Sequence, residues 1–468
     1  MKRSWPARAR AKMALYEVDD LQRDAGQGAL TPSAALTARF RSGVSSPVSV
    51  LEETFARIDR DEPRVGAFVC QARDAARTAA TASAQRWAAG CPLSPLDGIP
   101  VAVKDIIETS DMPTGQGSPL WEGFETRRDA ASVQALREAG AVIVGKTTTT
   151  EFATTELFAR TTNPHDPART PGGSSSGSAA AVGAGFVPIA LGSQVVGSTL
   201  RPASYCGCYG FKPTFGALNR GGSYDYLSQS CVGLLGASLE DLWLAARTIA
   251  KRVGGDPGHP GLSGPDDLPP AVQPTRLALL RTEGWPRATS GARTAFDALV
   301  EELRRRGVDV VDEATDPALA GVEQAIADAL PLTQKINAWE FRWPLGTYAR
   351  QDASKLSPVM RRRLSTAEEM TQSDYAQALS QRDAARTVFD NVMQRYDGTI
   401  TLAATGAAPV GADSTGDPAF NVPASLLGVP AVSLPILQDE GLPLGIQLLA
   451  AQGQDAALFA FARWMVSR

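Results

Sequence analysis

The sequence predicts an α/β protein, and three observations support this fold class. Segments with apolar residues at helical spacing alternate with short β-branched runs, which is typical of a sheet covered by helices. The chain of 468 residues is 43% hydrophobic and 21% charged, as in soluble globular proteins. No internal repeat is present. The Pro/Gly-rich connector at residues 253–270 fits both a surface loop and a domain boundary.

The N-terminal stretch predicts an arm, residues 1–30, that precedes a domain spanning residues 31–468. This stretch is basic but lacks the apolar core of a signal peptide. A disordered arm and a start at Met13 both fit it. No apolar run approaches the roughly 20 residues of a membrane span. We therefore expect a cytoplasmic protein that does not bind membranes.

Three parts of the domain are predicted to be helical. Residues 32–90 place Leu and Phe at helical spacing and then become Ala-rich up to Gly90. Residues 129–140 predict another helix, with Asp129 placed to cap it and Gly140 to end it. Residues 289–397 are again rich in helix and charge.

Strands are predicted where β-branched residues cluster between these helices. The five predicted strands are residues 98–107, 141–145, 187–193, 429–436 and 442–450. Alternation of strands with helices by itself predicts a largely parallel sheet.

Charge and cysteine content exclude several classes of protein. The net charge is −4, from 46 Lys+Arg against 50 Asp+Glu, so no nucleic-acid partner is expected. Five cysteines without a C-x-x-C pair argue against a disulfide framework or structural zinc. Cys206 and Cys208 could bind a metal, but reduced thiols are the preferred interpretation. No metal or cofactor is therefore expected.

The segment "GAVIVGKT", residues 140–147, matches the phosphate-binding loop pattern of nucleotide hydrolases. That motif needs a strand before its first glycine and a loop within it. Here a helix precedes Gly140 and the intervening residues are themselves the predicted strand. We therefore place Lys146 at the end of a buried strand and reject the nucleotide-binding interpretation.

The run "TPGGSSSGSAAAVGAG", residues 170–185, raises the question of which serine acts. Its G-x-S-x-G pattern would make Ser175 the nucleophile of an α/β-hydrolase, with a histidine downstream. The chain has two histidines, and only His259 lies downstream, inside the connector. No apolar strand precedes the run either, so we disfavour this interpretation.

A serine nucleophile needs a neighbouring base, and without histidine a neutral lysine is the best candidate. Burial favours the neutral form of a lysine. Lys104, in "VAVKDII", is the lysine most tightly enclosed by apolar residues. Its alternative role is an ion pair with Asp105.

Several motifs in order along most of the chain resemble the amidase signature family. They include "LDGIPVAVKDII", "TNPHDPARTPGGSSSGSAAAVGAG", "GSQVVGSTLRPASYCGCYGFKPTFG" and "GDPAFNVPASLLGVPAVSLPI". The resemblance implies a single α/β/α domain around a twisted mixed sheet and an amidohydrolase with a Ser–cis-Ser–Lys triad. It also implies that residues 289–397 form a variable helical segment that faces the substrate.

The family's catalytic residues carry over one by one. Its lysine falls on Lys104, its bridging serine beside a cis peptide bond on Ser174, and its nucleophile on Ser198. Ser174 would pass the proton of Ser198 to Lys104, and an acyl-enzyme would form without any cofactor.

The family's oxyanion hole uses backbone N–H groups around the nucleophile. Here they belong to Val195, Val196, Gly197 and Ser198, and fixed backbone donors suit developing charge on the carbonyl oxygen. Ser175 is expected to support the triad.

The sequence departs from the family pattern at four positions. Ser176 and Val196 replace glycines, Gln194 replaces an aspartate and Leu200 replaces an arginine. Arg201, one position later, is expected to take over the guanidinium role. These departures leave the triad intact but affect rate and substrate.

The substrate is expected to be a small-molecule amide. Tyr224, Tyr226, Trp339 and Phe341 are candidates for an apolar pocket as well as for ordinary packing. Two other functions stay open: the A component of an amidotransferase, working with partner subunits, and a catalytically silent binding protein on the same scaffold. A homodimer is compatible with the sequence.

Overall fold

The computed structural model describes residues 30–154 and 160–467. Residues 1–29 of the predicted arm lie outside this range. The described residues form one α/β/α domain around an eleven-stranded mixed sheet, with the order β1-β3-β2-β4-β6-β5-β10-β11-β9-β7-β8. The strands are β1 (Phe68–Gln71), β2 (Pro100–Lys104), β3 (Val142–Thr147), β4 (Ile189–Gln194), β5 (Tyr209–Lys212), β6 (Cys231–Gly236), β7 (Arg276–Leu279), β8 (Asp309–Val311), β9 (Gly398–Leu402), β10 (Ala431–Asp439) and β11 (Leu442–Leu449).

Helices connect and cover these strands. They are α1 (Ser33–Arg41), α2 (Pro47–Val65), α3 (Arg73–Ala88), α4 (Ala131–Glu138), α5 (Ser176–Gly183), α6 (Leu200–Tyr205), α7 (Leu239–Val253), α8 (Ser290–Arg305), α9 (Pro317–Ile326), α10 (Ala329–Asp352), α11 (Pro358–Glu369), α12 (Gln372–Met393), α13 (Val422–Leu427) and α14 (Asp455–Val466). The helices predicted within residues 32–90 are thus confirmed as α1, α2 and α3.

Local sequence explains several helix ends. Ser46 caps α2 in a reciprocal capping box with Ser49, and Gly66 ends that helix with φ +63°. The predicted cap of α4 is wrong: its N-cap is Ala130, without a side-chain hydrogen bond. Asp129 instead accepts a hydrogen bond from the Ser110 N–H and pairs with an arginine on α4.

The five predicted strands all occur, and the mixed sheet that the family resemblance implies is confirmed, whereas the largely parallel sheet expected from helix–strand alternation alone is wrong. β2 runs parallel to β3 and β4, whereas β4–β6, β5–β6, β5–β10 and β10–β11 are antiparallel. Glu440 and Gly441 alone separate β10 from β11, with φ +54° and +76°. A two-residue turn of this kind joins only antiparallel neighbours.

The connector at residues 253–270 does not divide the sheet. β7, which follows it, pairs with β9 in the same sheet that contains β2 to β6. Its Pro265 carbonyl accepts a hydrogen bond from Trp243 Nε1 of α7. The connector is therefore a loop that packs against α7 within the one domain.

The carboxyl ends of β2 and β4 meet at one edge of the parallel part of the sheet. Lys104 is the last residue of β2, and Gln194 is the last residue of β4. β3 ends beside them and contains the residues of the rejected phosphate-loop pattern, with Lys146 fully buried. Neighbouring ends of parallel strands bring polar side chains together, and here they define the candidate site.

Candidate active site

Lys104 lies at the centre of a cluster of serine hydroxyls. Its side chain is fully buried. The Nζ atom is 2.7 Å from Ser174 Oγ, 2.9 Å from Ser193 Oγ and 3.1 Å from Ser175 Oγ. The sequence predicts the Ser174 and Ser175 hydroxyls near the lysine, and the structure adds that of Ser193.

The environment of Lys104 favours the neutral amine. Burial lowers the pKa of Lys104 to about 7, and the charge of Asp225 opposes part of this change. The alternative ion pair with Asp105 is absent, because Asp105 lies 3.0 Å from Lys146 Nζ instead. Within the described ranges, no carboxylate lies within ion-pair distance of Lys104.

Hydrogen-bond counting separates the roles of the serines. A neutral amine has two N–H donors and one lone pair. The Ser175 hydroxyl donates to the Ser193 carbonyl at 3.3 Å, so its oxygen can only accept from Lys104. The hydroxyls of Ser174 and Ser193 are then the groups that can donate to the lone pair, and Ser174 is the one that lines the cavity described below.

The serine run approaches the neighbouring strands closely. Ser176 begins α5, and the Gly173–Ser174 peptide bond before it is cis. A Cβ atom at Gly177 would lie 2.2 Å from the Ala67 carbonyl oxygen and 2.4 Å from the Thr148 nitrogen. Only glycine fits at position 177, because both near atoms belong to the backbone.

Ser198 follows β4 and faces the same cavity as Ser174. The Ser175 N–H donates to the Ser198 carbonyl at 3.2 Å. Ser174 and Ser198 both line a cavity of about 570 Å³. In the described part of the chain, no hydrogen bond joins the hydroxyls of Ser174 and Ser198.

The candidate oxyanion donors lie between Gln194 and α6. Among the described residues, the N–H groups of Val195, Val196, Gly197 and Ser198 donate to no protein acceptor. A Cβ atom at Gly197 would lie 2.6 Å from Arg201 Nη1 and 2.9 Å from Asn421 Oδ1. A side chain at position 197 would therefore have to displace the Arg201 guanidinium and press on Asn421. The Val196 carbonyl accepts from the Ser425 hydroxyl at 3.4 Å.

Gln194 holds the turn that carries these donors. Its Oε1 atom accepts the N–H of Thr199 at 3.0 Å and of Leu200 at 3.1 Å, and its Nε2 atom donates to Ser425 Oγ at 3.2 Å. The first N–H groups of a helix lack partners within the helix. The amide oxygen of Gln194 is the acceptor for two N–H groups at the start of α6, a role that the carboxylate of an aspartate could also fill.

Arg201 lies against the cis-peptide loop. Its Nη2 atom donates to the Gly173 carbonyl at 2.8 Å, and its Nε atom donates to the Thr415 carbonyl at 2.7 Å. Arg201 also lines the cavity. Leu200, at the position of the family's arginine, packs in an apolar cluster instead.

Two helices of the 289–397 segment form one wall of the cavity. The lining residues of α10 are Leu330, Gln334, Asn337, Ala338, Phe341 and Leu345, and those of α11 are Val359, Arg362, Arg363, Thr366 and Ala367. Both sets follow the three- and four-residue spacing of one helix face. The other lining residues are Ala153, Thr154, Ser174, Val195, Val196, Ser198, Arg201, Leu227, Thr415, Gly416 and Pro418.

Comparison with known proteins identifies the family. A family model described as Amidase matches residues 49–459. The chain belongs to the amidase family. It is 34% identical to the A component of the glutamyl-tRNA(Gln) amidotransferase of Chloroflexus aurantiacus over 467 residues, covering 92% of this chain and 94% of the relative. The corresponding component from Symbiobacterium thermophilum is 31% identical, with coverages of 92% and 95%.

Solved amidase structures share the fold. A crystal structure of an amidase matches with a TM-score of 0.80 and 26% identity, covering 93% of this chain and 99% of the other. The native peptide amidase from Stenotrophomonas maltophilia matches with a TM-score of 0.72 and 25% identity, covering 93% and 96%. This amidase is therefore an enzyme that acts on amide bonds.

Neither histidine of the amidase lines the cavity. His165 Nε2 lies 3.0 Å from the Cys206 carbonyl oxygen, and the His259 ring packs against Phe215. Ser175, the nucleophile of the rejected hydrolase interpretation, is fully buried beside Lys104. Within residues 30–154 and 160–467, no cluster of three or more His, Cys, Asp or Glu could hold a metal ion.

The cysteines and helices of the described chain add two further findings. All five cysteines are unpaired, and burial raises the pKa of Cys206 and of Cys208. No helix in the described ranges combines the length and apolar character that crossing a membrane requires.

Of the aromatic candidates, the structure places one at the cavity. Phe341 lines it, whereas Trp339 stacks on Tyr375 with ring centroids 5.6 Å apart. Tyr224 and Tyr226 are not among the described lining residues.

Sequence reasoning missed Ser193, Thr415 and Ser425. Ser193 carries a signal in retrospect, because it is a polar residue at the carboxyl end of a buried strand beside β2. Thr415 and Ser425 follow Ser198 by more than 200 positions, and the fold brings them to the site. Ser425 lies within the quoted family motif at residues 416–436, whereas Thr415 lies just before that motif.

Proposed function

We propose that this amidase is an amidohydrolase that cleaves a carboxylic amide C–N bond through a serine acyl-enzyme. Ser198 is the nucleophile, Ser174 the proton relay and Lys104 the base. The observation that carries the proposal is the buried Lys104 amine, 2.7 Å from the hydroxyl of a serine that lines the same cavity as Ser198. An amine with a pKa of about 7 can accept a proton near neutral pH.

The first half of the reaction forms the acyl-enzyme. Ser198 Oγ attacks the amide carbon while its proton moves to Ser174, whose own proton moves to Lys104 Nζ. The carbonyl oxygen becomes negative and accepts hydrogen bonds from N–H groups between Val195 and Ser198. The C–N bond then breaks, and the departing nitrogen takes the proton back from Lys104 through Ser174.

The second half repeats the same path with water. Water attacks the acyl carbon, its proton passes through Ser174 to Lys104, and the C–O bond to Ser198 breaks. The proton then returns to Ser198 Oγ, and a carboxylic acid leaves the site. Each proton that Lys104 accepts is therefore returned, and no external base is consumed.

Covalent labelling tests the division of roles between the serines. Fluorophosphonate should label the wild-type enzyme at Ser198, and Ser198→Ala should lose the label entirely. Ser174→Ala should label slowly but still at Ser198, because the attacking atom remains while the relay is gone. Label on Ser175, located by fragment-ion mass spectrometry, would contradict this assignment and favour the α/β-hydrolase mechanism.

The A component of an amidotransferase is the second candidate function, and its support is the 34% identity to the Chloroflexus aurantiacus protein. Such a component would release ammonia for a partner rather than act alone. A catalytically silent protein is the third candidate. Against it, Gln194, which replaces an aspartate, accepts hydrogen bonds from the Thr199 and Leu200 N–H groups directly after Ser198. Absence of any serine labelling in correctly folded protein would favour the silent protein.

A further inference from the structure

The charged side chains among the described lining residues of the cavity are all cationic. Arg201, Arg362 and Arg363 line it, and the lining residues within the described ranges include no Asp or Glu. Asp225, whose charge acts on Lys104, is not among them, and its carboxylate accepts a hydrogen bond from the Ser230 hydroxyl. Among the described lining residues, a ligand therefore meets cations and neutral groups.

The arginines of α11 reach the cavity because of their spacing. Val359, Arg362 and Thr366 lie on one helix face, with Arg363 and Ala367 beside them. Arg362 is exposed and forms no ion pair with any described residue. Arg361, on another face, donates instead to the Ala353 and Leu356 carbonyls.

The remainder of the wall suits a hydrocarbon chain. Leu227, Leu330, Phe341, Leu345 and Val359 supply apolar surface along the cavity. Its volume of about 570 Å³ lies within the usual range for small-molecule sites, roughly 300–1,000 Å³. The lining therefore combines a nucleophile, an apolar wall and arginines on α11.

We propose that this amidase selects amides whose acyl group carries a carboxylate, separated from the scissile amide by an apolar chain, and that Arg362 binds this carboxylate. This inference rests on the proposed function. Arginine pairs a carboxylate with two parallel N–H donors, which fixes position as well as charge. An ammonium group in the same place would face arginines and find no carboxylate among the described lining residues.

Three amides of similar size test the selectivity: hexanamide, adipic acid monoamide and 6-aminohexanamide. We expect kcat/KM to be at least about tenfold higher for the monoamide than for hexanamide, and lowest for 6-aminohexanamide, since tenfold is a modest gain for a charge-assisted pair. Because Arg362 is exposed, added salt should reduce the preference. Equal values for the three amides, or a preference for 6-aminohexanamide, would overturn the inference.

Charge variants of Arg362 test the assigned residue. Arg362→Gln should lower the ratio of kcat/KM for the monoamide to that for hexanamide at least about fivefold, mainly through KM. Arg362→Glu should reverse the order and favour 6-aminohexanamide. Arg350→Gln is the matched control, because Arg350 is an exposed arginine of α10 outside the cavity lining. An unchanged ratio in both Arg362 variants would overturn the assignment.

Failure of this inference is distinguishable from failure of the proposed function. If hexanamide is hydrolysed but the monoamide is not preferred, the amidohydrolase function stands and the selectivity is wrong. If none of the three is cleaved, fluorophosphonate labelling decides. Label at Ser198 would then show a competent nucleophile and overturn only the proposed selectivity. Absence of label would overturn both the selectivity and the amidohydrolase function.

Discussion

At the residue scale, the proposed chemistry depends on an amine that is neutral near physiological pH. Lys104 is buried among three hydroxyls, and burial disfavours its charged form. The hydroxyls stabilise either form by hydrogen bonds, so they do not restore the charge as a carboxylate would. The neutral form of Lys104 thus depends on the apolar sheet that buries the amine and on the serine hydroxyls that bind it without adding a negative charge.

The pH dependence of the reaction follows from the pKa of Lys104. Below a pKa of about 7 the amine is protonated and cannot accept a proton, so kcat/KM should rise with pH through that value and then level off. Lys104→Ala should lower kcat/KM by roughly 10²–10⁴-fold, the usual contribution of general base catalysis. Lys104→Arg should be equally impaired, because arginine stays protonated.

A pH–rate profile of the purified enzyme checks this prediction. Replacing His165 and His259 by asparagine is the control, and both variants should keep the wild-type profile. Near-normal activity of Lys104→Ala, or loss of the pH dependence in the histidine variants, would contradict the role of Lys104.

At the element scale, a buried ion pair joins the two parallel strands next to the site. Lys146 of β3 lies 3.0 Å from Asp105, which directly follows β2. Lys146 Nζ also donates to Thr114 Oγ1 at 2.9 Å and to the Pro113 carbonyl at 3.0 Å. Burial raises the pKa of Asp105 and lowers the pKa of Lys146. The pair therefore joins the ends of β2 and β3, but the burial of its two charges costs desolvation free energy.

Removing one partner of this pair should destabilise the fold more than removing both. Lys146→Met should lower the free energy of unfolding by about 3–5 kcal/mol, because it leaves the Asp105 carboxylate buried and unpaired. The double variant Lys146→Met/Asp105→Leu should recover part of that loss. Urea unfolding measures both. A single variant no less stable than the double variant would contradict this explanation.

At the scale of the whole molecule, the question is whether the chain acts alone. One chain supplies the proposed nucleophile and candidate oxyanion donors that line the cavity, and it also supplies the proposed base, which lies 2.7 Å from the cavity-lining Ser174. We expect the purified chain to release ammonia or amine from simple amides without a second polypeptide. Activity that appears only after a partner protein is added would favour the amidotransferase candidate. Size-exclusion chromatography with light scattering tests the homodimer, which stays a prediction.

The fold class and most elements were predictable because they follow from local patterns. Helical spacing located α1 to α3, and β-branched runs located β2, β3, β4, β10 and β11. Six strands were missed. Several are only three to five residues long, too short for a clear period, as with β8. Helix–strand alternation alone mispredicted a largely parallel sheet, whereas the family resemblance implied the mixed sheet that is observed. The turn between β10 and β11, for example, makes these two strands antiparallel.

The sequence by itself determined the family resemblance and the residues that correspond to its triad, because motif order and residue type are written along the chain. Only the tertiary structure decided which groups surround them. Ser193 and Thr415 reach the site through strand pairing and loop packing, and Asp105 pairs with Lys146 rather than Lys104. These outcomes depend on distances between segments far apart in sequence, which no local pattern specifies.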